Sequence, residues 1–251
     1  MHSKVNILSV QVSSLNIESL LNIIEVSVIN KQFLQIAITP TNSIIAAYKN
    51  KNVKEIYNKS EIVLCDGMPV KWASHFLGTP IIERITGLDL LPQLIQLSAD
   101  KQFRVFLLGA SPGVADALAK VSKSLYPNLS IVGIYVPRFM KVFSDEENQK
   151  MVNEVNRSNA DIVLVSLTAP KQDIWIAQNR SSLNPAIYIG IGGAFEVMAG
   201  IAKRAPKWMQ KSGLEWLFRF IQEPKRLFRR YFIEAPVFIP LIIRQKLGLL
   251  K

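Results

Sequence analysis

Short β-branched runs that stop abruptly in polar or glycine-rich turns, each followed by residues at helical spacing, recur along the first 200 residues. Residues 33–38 run into Thr39-Pro40-Thr41-Asn42, 62–65 into Asp66-Gly67, 103–108 into Gly109, 161–167 into Thr168-Ala169-Pro170, and 186–191 into Gly192-Gly193. Strands alternating with helices build parallel βαβ units, so the pattern predicts an α/β fold, a Rossmann-like doubly wound, mostly parallel sheet. Ligands bind such a sheet outside the carboxyl ends of its strands, the edge on which all these turns would lie.

Local signals place further elements. Val5–Val12 reads as a first strand, and Asn16 as the cap of a helix over Ile17–Ile29 with Leu20, Leu21, Ile24 and Val28 on one face. Thr39 and Asn42 suit capping of a helix that begins near Ser43, and Asp66 suits capping of one over Met68–Leu77; at the same edge, all three also suit a polar ligand. Thr86 caps a helix over Leu88–Ser98, with Arg84 just before it, where a guanidinium would suit an anion. Ser144-Asp-Glu-Glu147 reads as a capping box. Pro170 at a first helical position puts Lys171 and Gln172 in the first turn, where a cation opposes the helix dipole unless an anion is near. Gly109 and the pair Gly192-Gly193 allow backbone N–H groups to approach a phosphate, and equally allow tight packing.

Composition removes several chemistries. One cysteine, Cys65, and two histidines leave no internal disulfide, no zinc cluster and little scope for a histidine-based triad; no metal site and no cofactor are expected. The spacing around Gly109 and Gly113 is neither the dinucleotide fingerprint nor a Walker A loop. No signal-like opening and no long uninterrupted apolar run occur, which points to a reducing cytoplasmic setting without a membrane span.

Charge divides the chain. Of the formal net charge of +11, residues 201–251, with 12 Lys/Arg and 3 Asp/Glu, carry +9, leaving +2 for residues 1–200. We therefore read 1–200 as an α/β domain and 201–251 as a basic amphipathic appendage suited to membrane association. Arg219, Arg226 and Arg230 follow at helical intervals beside Leu217, Phe220, Leu227 and Tyr231, with Arg229 adjacent and Pro224 expected to restart the helix. The apolar stretch 235–243 is too short to span a bilayer but can lie in its interface. Aromatics mixed with long aliphatics favour an anionic membrane surface over nucleic acid, and an exposed apolar tail also allows a homo-oligomer.

Taken together, Thr39-Pro-x-Asn42, Asp66-Gly67, Glu83-Arg84-x-Thr86-Gly87, Leu107-Leu-Gly109, Ala169-Pro-Lys-Gln172-Asp-x-Trp175, Gly190-x-Gly192-Gly193-x-Phe195 and Arg204-Ala-Pro-Lys-Trp208 resemble the WecG/TagA/CpsF glycosyltransferase family. The resemblance implies an inverting, metal-independent transferase. It would move a hexose or N-acetylhexosamine-type sugar from a UDP-sugar to a polyprenyl-diphosphate-linked sugar, on the inner face of the cell membrane, in cell-surface polysaccharide or teichoic acid synthesis. It makes Asp66 the general base and Arg84 a diphosphate partner. Thr39 and Gln172 become sugar contacts, the turn Gly192-Gly193-Ala194-Phe195-Glu196 a nucleotide contact, and Asn42 and Gly109 further substrate-binding residues. Arg219, Arg226, Arg229 and Arg230 would serve membrane or diphosphate binding. The chain departs from the family pattern at Thr41, usually Asn, and at Glu196, usually Asp. The readings set against it are a non-catalytic UDP-sugar-binding membrane scaffold and a nucleic-acid-binding protein.

Overall fold

The structure, a computed structural model, describes residues 2–140 and 142–250; the side chains of Lys211 and Arg226 lie outside that description. β1 (Ser3–Ile7) and β2 (Val10–Ser14) form an antiparallel hairpin of their own rather than the single strand expected over Val5–Val12. Leu8 and Ser9 turn the chain with φ of 49° and 69°, a left-handed step that no glycine or Asn-Gly pair announces.

Asn16 caps α1 (Ile17–Ile29) by accepting from the Ser19 N–H. β3 (Leu34–Pro40) leads into α2 (Thr41–Lys49), and Asn50 ends that helix and caps a second, α3 (Lys51–Lys59). β4 (Ile62–Asp66) is followed by α4 (Met68–Leu77) and by α5 (Gly87–Asp100), capped by Thr86. Then come β5 (Arg104–Gly109), α6 (Val114–Leu125), β6 (Ser130–Tyr135), α7 (Asp145–Ser158), β7 (Ile162–Ser166), α8 (Lys171–Gln178), β8 (Ile187–Gly190) and α9 (Ala194–Met198). Ser144 caps α7, but Glu147 does not complete the box: its carboxylate accepts from the Tyr135 hydroxyl and the Arg138 N–H.

Six strands pair in the order β4-β3-β8-β7-β5-β6, every pair parallel, in a Rossmann-like sheet. Alternation along the strands assigns the two faces. Ile36, Ile38, Ile62, Leu64, Leu107, Leu164 and Ile189 pack with Leu20 and Ile24 of α1 and Leu90 and Leu94 of α5. The alternate residues Ala37, Val63 and Cys65 pack with Ile44 and Tyr57, and Leu108, Val163 and Val165 with Met151 and Trp175. Both faces are covered, as a parallel sheet requires. The carboxyl ends of the strands therefore share one edge, with Pro40 beside Asp66 and Gly109 beside Ser166 in register.

The C-terminal segment forms α10 (Lys207–Lys211), α11 (Glu215–Gln222), α12 (Pro224–Phe228), a wide helical turn over Arg229–Glu234, a tight one over Ala235–Val237, and α13 (Phe238–Lys246). Trp216 meets Tyr231 and Phe232 edge-on, and Phe232 also contacts Phe220 and Phe228. Half of the apolar stretch expected in an interface instead packs on the core: Phe238, Leu241 and Ile242 join the cluster of Val5, Ile7 and Leu8. Gln245 fixes them there, accepting from the Leu8 N–H and donating to the Asn6 carbonyl, each at 2.8 Å. Ile239 and Ile243 stay exposed. No described helix is long and apolar enough to cross a membrane.

Gly109 has a φ of 98°, and a Cβ there would stand 2.5 Å from the Ser166 carbonyl oxygen. Gly109→Ala should therefore destabilise the fold by about 2–4 kcal/mol, read as a lowered urea midpoint; an unchanged midpoint would contradict the packing described.

Candidate functional site

Asp66 closes β4 opposite Pro40, and Gly67, with φ of 99°, turns the chain into α4. No side chain caps α4, so the capping alternative for Asp66 is set aside. Burial raises the Asp66 carboxyl above the usual carboxylate range. Arg219, Arg230 and Arg84 work against that rise, and Glu215 reinforces it. A half-buried carboxylate raised above its ordinary range in a cationic surround suits proton abstraction from an acceptor hydroxyl. Its neighbour Cys65 does not: burial pushes that thiol up to about 12, leaving it protonated and unreactive.

At the end of β3, the capping reading of Thr39 and Asn42 also fails. α2 starts at Thr41 with no side-chain cap bond. Thr39 Oγ1 and Asn42 Oδ1 are buried without a hydrogen-bond partner, as is Glu196 Oε2 on α9. Each such orphan costs about 1–3 kcal/mol. Their gathering at the ends of β3 and β8 is what a site built for a polar ligand would leave.

The glycine turns divide by role. Gly109 is required by its packing against Ser166, and the backbone N–H of Ala110 bonds the Ser166 carbonyl. Gly192, with φ of 59°, has open space where a Cβ would go, and the Ser166 hydroxyl holds its carbonyl at 2.8 Å. Gly193 faces Glu196 Oε2 and Arg219 Nη2, each 3.6 Å from the position of a Cβ. Arg219 thus stands between Asp66 and the Gly192-Gly193 turn. Phe195, expected at the nucleotide, has its side chain fully buried in the core, so only its backbone belongs to the turn.

Gln172 is buried beneath this turn, its Oε1 accepting from the Gly192 N–H at 3.2 Å. Lys171, whose charge hinted at an anion, instead donates to the Met140 carbonyl and lies 3.7 Å from the Phe143 ring centroid. Of the tail arginines, Arg219 and Arg230 face Asp66, although Pro224 divides the helix between them. Arg229 points outward and pairs with Glu234 at 3.1 Å. The side chain of Arg226 lies outside the described residues.

Sequence reasoning missed Glu215 and Asp89, and gave Arg204 no role beyond opening the Arg204-Ala-Pro-Lys-Trp208 motif. Glu215 accepts from Arg84 at 3.3 Å and from Arg204 at 3.2 Å, and Arg204 also pairs with Asp89. The available signal was charge: Glu215 is one of only three acids in the basic tail, and a helix placing it among arginines holds it for a reason. Among the described residues, no group of three or more His, Cys, Asp or Glu is placed to hold a metal ion.

With the site in place, comparison with known proteins decides the family. The family model for the WecG/TagA/CpsF glycosyl transferases matches residues 5–251. The chain belongs to that family. It is 28% identical to an N-acetylglucosaminyldiphosphoundecaprenol N-acetyl-beta-D-mannosaminyltransferase of Staphylococcus aureus (strain MW2), over 97% of this chain and 94% of the relative. It is 33% identical to a protein of the same name from Bacillus subtilis (strain 168), over 72% of this chain and 68% of the relative. As a member of this family, the chain is a glycosyltransferase.

Asp173, next to Gln172, is fully buried; it accepts from the Tyr57 hydroxyl at 3.0 Å, and burial pushes its carboxyl up to about 8. Between about pH 4 and about 8 the native state then holds a proton that the unfolded chain has released, so stability falls as pH rises through that window. Asp173→Asn should flatten this decline in thermal unfolding scans across pH; parallel curves for the two proteins would contradict it.

Proposed function

We propose that this glycosyltransferase is inverting and uses a UDP-sugar donor and a polyprenyl-diphosphate-linked sugar acceptor, in cell-surface polysaccharide or teichoic acid synthesis. The observation that carries the reading is the meeting of Asp66 with Arg84, Arg219 and Arg230 at the carboxyl edge of the sheet. The relatives' names, which specify an N-acetylglucosaminyl-diphosphoundecaprenol acceptor and an N-acetylmannosaminyl group transferred, support the acceptor class.

The chemistry follows from the charges. Asp66 takes the proton of the acceptor hydroxyl as its oxygen attacks the anomeric carbon from the face opposite the leaving group. The anomeric C–O bond to UDP breaks, and positive charge develops on the sugar while negative charge collects on the departing diphosphate. Arg84, Arg219 and Arg230 stabilise that charge without a required metal ion, which is how we read the arrangement as metal-independent. We assign Thr39 and Asn42 to the donor sugar, and Gln172 to the same subsite through the Gly192 turn that it supports from beneath. The Gly109 turn and the Gly192-Gly193-Glu196 turn hold the nucleotide, and Glu196 suits hydroxyl recognition.

Residues 1–200 form the catalytic part in this reading, and 201–251 bring it to the cytoplasmic face of the membrane. Trp208, Phe228, Phe232, Ile239 and Leu247 are exposed on the basic segment, a pattern suited to an anionic interface.

Asp66→Asn should lower UDP release in the presence of a lipid-linked acceptor by about 100- to 10,000-fold with circular dichroism unchanged. Full turnover would contradict the base assignment, and UDP binding without turnover by the unaltered chain, across a panel of donors and acceptors, would favour a scaffold. Vesicles with anionic lipid should bind the protein in a salt-sensitive way, and replacing Lys225 and Arg229 together by Ser should weaken binding roughly 30-fold, at about 1 kcal/mol per charge. Equal binding to neutral vesicles would contradict the membrane reading.

A further inference from the structure

Arg84 is held by a closed ring of charges that joins the α/β core to the C-terminal segment. Glu215 Oε2 accepts from Arg84 Nη1 at 3.3 Å, and Glu215 Oε1 from Arg204 Nε at 3.2 Å. Arg204 Nη2 pairs with Asp89 Oδ1, and its Nη1 donates to the Leu88 carbonyl at 3.3 Å. Asp89 Oδ2 accepts from the Thr86 hydroxyl at 2.7 Å and lies 4.0 Å from Arg84 Nη2. Two arginines and two carboxylates close the ring, with side-chain exposures of 16% for Arg84 and 11% for Glu215. Burial to that degree makes loss of one partner costly, because the remaining charge is left uncompensated in a low-dielectric setting.

Two of the four members belong to the core, Arg84 and Asp89 framing the start of α5, and Arg204 lies between α9 and α10, just past the change from core to appendage. The fourth, Glu215, is the first residue of α11. Arg219 follows it by four residues, so the two side chains share a face of that helix. The helix phase that seats Glu215 on Arg84 is the phase that delivers Arg219 to Asp66 and to the Gly193 turn.

We infer that Glu215 is a positioning residue: it locks α11 onto the core and holds the Arg84 guanidinium beside the substrate diphosphate instead of letting it pair with Asp66. The inference rests on the reading of Arg84 as a diphosphate partner. A guanidinium carries five N–H donors, so the two carboxylate contacts leave Arg84 capacity for a ligand anion. Without Glu215, Asp89, at 4.0 Å, and the base itself, on which Arg84 already acts, are left to draw the Arg84 guanidinium.

The charged groups facing Asp66 are Arg219, Arg230, Arg84 and Glu215, and Glu215 is the one that raises its carboxyl. Removing that charge therefore moves the acid limb of the rate profile to lower pH, a change that a purely structural contact does not produce. The test uses the full chain, a UDP-sugar donor and a polyprenyl-diphosphate-linked N-acetylglucosamine acceptor in anionic vesicles, with UDP release as the readout. Glu215→Gln is expected to lower kcat/KM by about 10-fold or more and shift the acid limb down, while Glu215→Asp, which keeps the charge, stays within about 3-fold of the unaltered chain. In an Arg84→Ala background, Glu215→Gln should cost less than it does in the unaltered chain, because part of its effect acts through Arg84. Full turnover in Glu215→Gln beside an impaired Arg84→Ala overturns the positioning role alone, and full turnover in Arg84→Ala overturns the diphosphate reading and the positioning role with it. Undiminished additivity of the two substitutions, or a loss in Glu215→Asp as deep as in Glu215→Gln, also overturns it. Should Glu215→Gln lose helical circular dichroism, the comparison of Glu215→Asp with the unaltered chain decides the matter by the same limits.

Discussion

A carboxylate at the end of a buried strand is balanced against arginines brought from distant parts of the chain, and the organisation of the molecule follows from that balance. Burial raises the Asp66 carboxyl, with Glu215 adding to the rise, and Arg219, Arg230 and Arg84 restrain it. Neither contribution arises locally. The strand supplies burial because both faces of the sheet are covered by helices, Arg84 comes from the turn before α5, and Arg219 and Arg230 arrive because the C-terminal segment folds back over the carboxyl edge. In our reading, the base and the cationic receptor for a leaving diphosphate are therefore produced by one packing arrangement rather than by two sites.

The appendage has two faces with different tasks. Phe238, Leu241 and Ile242 anchor its end in the cluster beneath the N-terminal hairpin, and Gln245 adds hydrogen bonds to the hairpin turn. Its other side presents Trp208, Phe228, Phe232 and Ile239 outward. Arg219 and Arg230 lie between, directed at the sheet edge. In our reading, a lipid-borne acceptor meets the base beside the segment that rests on the lipid, which explains why the basic residues and the interfacial aromatics occur in the same fifty residues.

Features set by a single local hydrogen bond were legible in the sequence. Asn16 and Thr86 cap the helices expected of them, and Asp66 ends its strand at the residue where the apolar run stops. The hairpin at Leu8-Ser9 was not legible, because its left-handed turn uses residues that ordinarily continue a strand. Glu147 had the spacing of a capping box, yet a tertiary partner, Tyr135, took its carboxylate. Thr39 and Asn42 had capping chemistry but ended buried and unpaired, a distinction that depends on where the first turn of α2 falls. Phe195 looked like part of a ligand turn because its neighbours are glycines, while its own side chain fills the core. The contact between Arg84 and Glu215 spans 131 residues of sequence and has no local signature at all.

The account stands on Asp66 acting as a base whose proton affinity is set by the arginines around it, and the pH dependence of kcat tests that most directly. Its acid limb should lie above the usual carboxylate range, and Arg219→Gln, by removing the first of the opposing charges, should move that limb to still higher pH. A limb in the ordinary carboxylate range that Arg219→Gln leaves in place would contradict it.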